Sequence, residues 1–452
     1  MPVRQSIQQQ PDPFLRGSFP LLLIFLFFIF SAVMESLPVL PKLRPQLILA
    51  ALGLLAVFGS GRFMKVLNAP VGKSIAIFTA WFVACIPFGA WPGGSFWVFT
   101  QYWYKAALIF VLTAGLLTTL PQAVRLFHTI AYGIGILSVL ALLKNNRTSD
   151  GRLILDNTRY ANANDLAWTL LVGLTFVGFL FLRGTRAQKV IAGLMVPAIL
   201  LSVSRTGSRA GMLGAGVLCL AMLAQAKRVT RIRLLVGMPV ILAVILVLLP
   251  SNIRERYTTF FGSYNPSGFT QSERLRMGTI GSTEARKRLL IDSLIITMRH
   301  PLLGVGPGNF EVVQNELAQA RGERGGWRQT HNTYTQLSSE MGVPGLVIYV
   351  VMLFYVFRVL NSIIRTRYPG PNWRNLRQLA LTLRTVFILF LSVASFYSLA
   401  YNADLPILAG LATALGFMAQ KQRAIDKAAS APIVTAESLP EPALQPVAVS
   451  QY

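Results

Sequence analysis

The apolar residues of this chain fall in about a dozen blocks of roughly 16 to 22 residues, and at about 1.5 Å of rise per residue a helix of that length crosses a hydrocarbon core of about 30 Å. A backbone in lipid must satisfy its own hydrogen bonds, and a helix does so within one segment. The blocks run approximately over 18–36, 46–60, 74–90, 101–120, 122–143, 163–182, 187–204, 208–226, 232–250, 343–360, 382–400 and 405–420, the second being the weakest. With 53% hydrophobic and 13% charged residues the chain also has too little polar surface to coat a water-soluble globule of 452 residues. The expected fold is therefore all-α, a polytopic membrane protein of about twelve transmembrane helices. The run Pro20 to Phe30 ends on no small-residue cleavage site, so it reads as an uncleaved first helix. Cys85 and Cys219 are the only cysteines and both fall within spans, which offers neither a disulfide framework nor a metal set.

A net charge of +25 would suit a nucleic-acid binder, but the placement of the cations argues against one. With the N-terminus in the cytoplasm, clusters such as Lys227, Arg228, Arg231 and Arg233, or Arg365, Arg367, Arg374 and Arg377, all lie inside. The short opposite loops hold far fewer: Lys42, Arg44, Lys144, Arg147, Arg152, Arg159, Arg205 and Arg209. This bias is the positive-inside rule, and it supports the orientation expected of a bacterial inner-membrane protein with both termini in the cytoplasm. Residues 1–17 form a cytoplasmic segment, 18–250 carry spans one to nine, and 251–342 form a long periplasmic loop. Residues 343–420 carry the last three spans, and 421–452 form a cytoplasmic tail whose Ala-, Pro- and Ser-rich part, from about Ala428, reads as disordered.

The long loop has structure of its own. Between Glu284 and Arg299 the apolar residues Leu289, Leu290, Ile291, Leu294, Ile295 and Met298 recur at mostly helical spacing, with basic residues at the start. Pro301 ends this amphipathic helix, and Gly304, Gly306, Pro307 and Gly308 make a turn before a second helix over about 309–320. Residues 263–282 read as mobile, and Thr330 as a cap for a helix opening at His331. The periplasmic part is thus a helical subdomain between spans nine and ten.

Three features on the outer side could carry chemistry. The loop Ser204-Arg205-Thr206-Gly207-Ser208-Arg209-Ala210-Gly211 sets two arginines at the membrane surface, where planar guanidinium forks suit phosphate oxygens. Snorkelling to lipid headgroups is the plainer reading, although cations are scarce on this face. Arg286-Lys287-Arg288 opens the amphipathic helix and could clamp a second phosphate or merely adhere to anionic lipid. His331-Asn332-Thr333-Tyr334 contains the one histidine of three that stands beside a polar cluster at the mouth of the bundle. An imidazole titrates near enough to neutrality to take a proton from a sugar hydroxyl, though a lone histidine is more often structural. A softer feature is the 150–165 stretch, with Arg152, Asp156, Arg159, Tyr160, Asn162, Asn164 and Asp165, which could hold a sugar; alternatively Asn164 or Asp165 caps the sixth helix. Lys105 and Asp404 lie near outer helix ends and are possible lining. No Asp-x-Asp pair, Cys/His cluster or P-loop is present.

In this order and on this topology the motifs resemble the O-antigen ligase family of bacterial membrane glycosyltransferases. The matching elements are YANANDLA from Tyr160 to Ala167, SRTGSRAG, the Arg286 to Phe310 segment ending PLLGVGPGNF, and HNTYTQLSSEMGVPGL from His331 to Leu346. The resemblance covers about 150–360. It implies an inverting, metal-independent and cofactor-free transfer of a glycan from undecaprenyl pyrophosphate to an acceptor hydroxyl, the lipid A-core in the leading case. His331 would be the general base, with Arg209 and Arg286 holding the pyrophosphate and stabilising its departure. Arg205, Arg288, Asn332, Asn164 and Arg159 would bind substrate, Arg288 competing with Arg286 for its role while the spacing to Pro301 favours Arg286. The sequence has Leu or Ile where the family often has an aromatic residue soon after that arginine. A polysaccharide polymerase or a protein O-oligosaccharyltransferase would share the motifs with another acceptor. A lipid-linked glycan transporter would bind the same donor without breaking it.

Overall fold

The computed structural model describes residues 13–37, 40–226, 228–248, 250–258, 271–323, 326–366 and 370–429. Among them the chain is helical almost throughout, with an isolated Arg147–Leu153 bridge as its single antiparallel pairing. The all-α membrane fold expected from the apolar blocks is the fold observed.

Six helices are long and apolar enough to cross a bilayer: Pro70–Phe88, Leu120–Lys144, Ala163–Arg183, Arg186–Arg205, Thr333–Arg365 and Pro371–Ala394. A seventh is added if Pro45–Gly59 and Arg62–Asn68, bent by 89° across Gly61, are one broken span. Gly17–Ser31 and Arg209–Gln225 are apolar but shorter. Twelve blocks therefore do not become twelve unbroken spans among the described residues. Hydropathy counts a block wherever apolar residues continue, whereas breaks in the backbone divide several of them. The 101–120 block, for example, is a π-turn over Phe99–Trp103 followed by a helix of only 13 residues, Tyr104–Leu116.

Helix starts are set by side chains that accept the first free N–H groups. Thr119 with Gln122, and Thr185 with Gln188, form reciprocal capping boxes ahead of Leu120–Lys144 and Arg186–Arg205. The Ala163–Arg183 helix is capped by Asn162, whose side chain accepts from the N–H of Asn164, rather than by Asn164 or Asp165. The Thr333–Arg365 helix is capped by Asn332 rather than Thr330, and it opens two residues after His331.

In the long loop, Gln271–Arg299 is one continuous helix that takes in residues expected to be mobile; the rest of that stretch up to Thr270 lies outside the described residues. It packs with Phe310–Ala320 around a small core of Leu289, Ile296, Val305 and Phe310. Arg321 closes the pair, donating to Asp292 at 2.7 and 3.0 Å. The turn between the two helices adheres to the start of the Thr333–Arg365 helix: Val305 and Gly306 N–H donate to the carbonyls of Ser339 and Glu340, and Gly308 N–H donates to the Glu340 carboxylate. Gly342, at φ 71°, breaks the helical path there, and a Cβ on it would meet the Leu302 carbonyl oxygen at 2.1 Å. At the other end of the chain, Asp404–Ala429 continues past the expected span limit at 420 and keeps the opening of the tail, residues 421–429, helical rather than disordered; the rest of that tail, 430–452, lies outside the described residues.

Candidate functional site

The SRTGSRAG loop is short because one helix ends at Arg205 and the next begins at Arg209. Gly207, at φ 57°, turns the chain, and Ser208 caps the second helix by accepting from Gly211 N–H at 3.0 Å. The same hydroxyl donates to Asn164 Oδ1 at 2.9 Å. Arg152 fastens the arrangement: its Nη2 donates to Asn164 Oδ1 at 2.6 Å and its Nε to the Thr206 carbonyl at 2.8 Å. Leu153 N–H donates to the Arg205 carbonyl at 2.9 Å. The 150–165 stretch is thus a brace for the arginine loop. Arg209 is half-buried in the first turn of its helix, and the Nε of Arg205 is buried without a hydrogen-bond partner among the described residues.

His331 reaches the same end of the molecule by a different route. It sits in the left-handed region at φ 51°, uncommon for a side chain of its size, and is kept there by its neighbours. Its N–H donates to Ser398 Oγ at 3.0 Å, Thr330 Oγ1 lies 3.0 Å from the same hydroxyl, and Asn332 Oδ1 accepts from the N–H groups of Tyr334 and Thr335. Thr333 adds a second tie, donating to the Tyr397 carbonyl at 2.7 Å and accepting from Leu399 N–H at 3.0 Å.

Tyr397 joins the two halves. Its hydroxyl donates to the Asn164 carbonyl at 3.1 Å and lies 3.3 Å from Ser208 Oγ. One step along the chain, Ser398 holds His331. The arginine loop and the histidine therefore hang from consecutive residues of the 395–403 connection, although more than 120 positions separate them in sequence.

Electrostatics brings in the third motif. Burial pushes the His331 imidazole below its ordinary 6.5, and the guanidinium groups of Arg286 and Arg328 press it further down. Tyr397 is pushed up to about 12 by burial, against the opposing pull of Ser208, Arg152 and the same Arg286. Arg286, half-buried on the Gln271–Arg299 helix, thus acts on both His331 and Tyr397. That helix is held to the histidine's helix by a 2.9 Å contact between Thr297 Oγ1 and Ser338 Oγ. A neutral imidazole among fixed positive charges can accept a proton while an anion is held beside it.

Other candidates have different employment. Arg288 pairs with Glu323 at 2.8 Å on the exterior. Arg159 lies over the Tyr160 ring and 3.4 Å from Asp404, while its N–H donates to Glu35, so it ties three elements together away from the histidine. Asn164 spends its side-chain oxygen on Arg152 and Ser208, and Asn332 on its helix cap. Lys105 is exposed and bonded to Gln101. Tyr397 and Ser398 carry no motif that would single them out in sequence, and Thr330 was expected only as a helix cap; Arg328, three residues before His331, belongs to none of the three motifs. No group of three His, Cys, Asp or Glu gathers into a metal set among the described residues.

Residues 194–350 match a family model described as O-antigen ligase, a segment that contains Arg205, Arg209, Arg286 and His331 and stops before Tyr397. No curated protein matches the chain.

Proposed function

We propose that this chain, whose residues 194–350 match the O-antigen ligase family model, transfers a glycan from undecaprenyl pyrophosphate to an acceptor hydroxyl, the lipid A-core, at the periplasmic face of the inner membrane. What carries the reading is one arrangement: an imidazole kept unprotonated beside Arg286 and stitched through Ser398 and Tyr397 to the loop that bears Arg209.

In the proposed reaction His331 takes the proton of the acceptor hydroxyl as its oxygen attacks the anomeric carbon. The bond from that carbon to the diphosphate oxygen breaks on the opposite face, inverting the centre. Negative charge grows on the departing diphosphate, and Arg209 and Arg286 meet it with guanidinium donors, an interaction stronger in the transition state than in the bound donor. The nearby Arg205, with its buried unpaired Nε, supports the same charge. Arg288, bound to Glu323, is the weaker candidate of its pair.

The test is reconstitution of the full chain with a defined lipid-pyrophosphate glycan and a choice of lipid A-core, free glycan or peptide acceptor, followed by mass spectrometry. The expected result is a glycan–lipid A-core product with one undecaprenyl pyrophosphate released per transfer. An extended glycan or a glycopeptide as the product would reassign the acceptor. Donor binding with no release in the presence of any acceptor would replace the enzyme by a transporter.

A further inference from the structure

Beside the residues that hold His331 lies a cavity of about 310 Å³, at the lower end of the roughly 300–1,000 Å³ of small-molecule sites. Thr330 and Ser398, which fix the histidine backbone, form part of its wall. Five aromatic side chains border it, the buried Tyr401 and four outer ones, Trp91, Trp97, Tyr102 and Trp327. The outer four are 45 to 67% exposed, and Trp97 meets Tyr102 edge to face at 5.5 Å. Between them stand Glu311, Gln336, Glu340 and Asn402.

The wall is built rather than incidental. Asn309 donates to the Trp91 carbonyl and to Ser95 Oγ, each at 3.2 Å, and Ala90 N–H donates to the Val305 carbonyl at 2.8 Å, so the tryptophan-bearing segment is locked to the glycine turn. Glu340, only 3% exposed, is aimed by Gly308 N–H and by the Tyr401 hydroxyl at 2.7 Å.

We propose that this cavity is a saccharide subsite that takes the acceptor, and that it selects neutral sugars. It rests on the transfer reading above only for the word acceptor. A pyranose has one face of C–H groups that covers an aromatic ring and an equatorial rim of hydroxyls that needs acceptors and amides; this cavity offers both kinds of partner in one place. The base must touch the attacking hydroxyl, and this cavity shares Thr330 and Ser398 with the histidine while Arg205, Arg209 and Arg286 are not among its lining residues. Among the described residues no lysine or arginine lines the cavity beside Glu311 and Glu340, so the charge of a uronic or phosphorylated sugar would enter a confined site without a partner.

The experiment is saturation-transfer NMR on the full chain in detergent, with methyl glucopyranoside, methyl galactopyranoside and methyl glucuronide as probes. Saturation should reach the ring protons of the two neutral glycosides and much less the glucuronide. Trp327→Ala, a change in an exposed loop that leaves the packing intact, and Trp97→Ala should each weaken binding roughly tenfold, and Arg209→Ala should leave it unchanged. In the transfer assay Trp327→Ala should raise the acceptor KM by a similar factor with kcat nearly kept. Binding that ignores both tryptophans, or a glucuronide bound as well as a hexoside, overturns the subsite. So does an unchanged acceptor KM in Trp327→Ala, which leaves the transfer reading standing. Neutral glycosides that bind as expected to a protein that transfers nothing would sustain the subsite and remove the transfer reading.

Discussion

His331 combines a left-handed backbone, a Ser398 tether and two cationic neighbours. Because its folded value lies below 6.5, the imidazole is unprotonated at neutral pH, and the acid limb of kcat/KM should turn below 6.5. Arg286→Gln removes one like charge and should move that limb upward, besides lowering the rate; a limb that stays in place would show that Arg286 does not act on the base. The same depression has a stability sign: His331's contribution is complete above the unfolded value of 6.5 and is lost as pH falls through the folded value. His331→Ala should abolish transfer while donor binding persists, and turnover within a few-fold of wild type would end its assignment as base. His331, Arg209 and Arg286 could be picked out as candidates because each belongs to a short motif in a segment expected on the outer face. Tyr397 and Ser398 could not, since their value lies in what they touch 64 to 233 positions away.

At the scale of elements, the junction between the glycine turn and the kinked helix is the most constrained place in the fold. Gly342→Ala would force a Cβ into the left-handed region and against Leu302, so the melting temperature should fall, by a loss of at least about 1 kcal/mol. An unaltered midpoint would show that the turn has room to move. In the loop subdomain the Arg321–Asp292 pair is asymmetric: the carboxylate side chain is 1% exposed and the guanidinium 37%. Burial pushes Asp292 up, but the hydrogen bonds from Arg321 and Gln314 outweigh it and hold the carboxyl below the usual carboxylate range. Arg321→Ala strands a buried carboxylate and should cost on the order of 3 kcal/mol, whereas Asp292→Ala frees an arginine that can turn to water and should cost less. Equal losses in thermal unfolding would contradict this. Sequence periodicity gave these helices but misplaced their starts, because with Asn162, Asn164 and Asp165, or Thr330 and Asn332, so close together, the cap is chosen by where the backbone leaves the extended region. Nor could it anticipate that Gln271–Arg299 continues as one helix through polar residues of low apolar content.

For the whole molecule, the apolar blocks made a membrane fold legible, while twelve blocks stand against six or seven spanning helices among the described residues, since a turn such as that over Phe99–Trp103 leaves hydropathy untouched. The proposed orientation sets Gly207 and Arg328 outside and Lys427 inside. Single cysteines at those three positions, on a background with Cys85 and Cys219 replaced, should react with an impermeant maleimide at the first two and be shielded at the third until the membrane is opened. Labelling that divides 207 from 328 would put the arginine loop and the base on opposite faces and end the site. The Tyr397–Ser398 step has an outcome of its own. Since adjacent positions carry the two grips, a one-residue insertion between them would swing the grips apart around the connection, and because Tyr397, Leu399 and Tyr401 are themselves buried in the core it should lower the melting temperature as well as turnover. Side chains in that short bridge are open to exchange wherever their bonds can be replaced; its length is not.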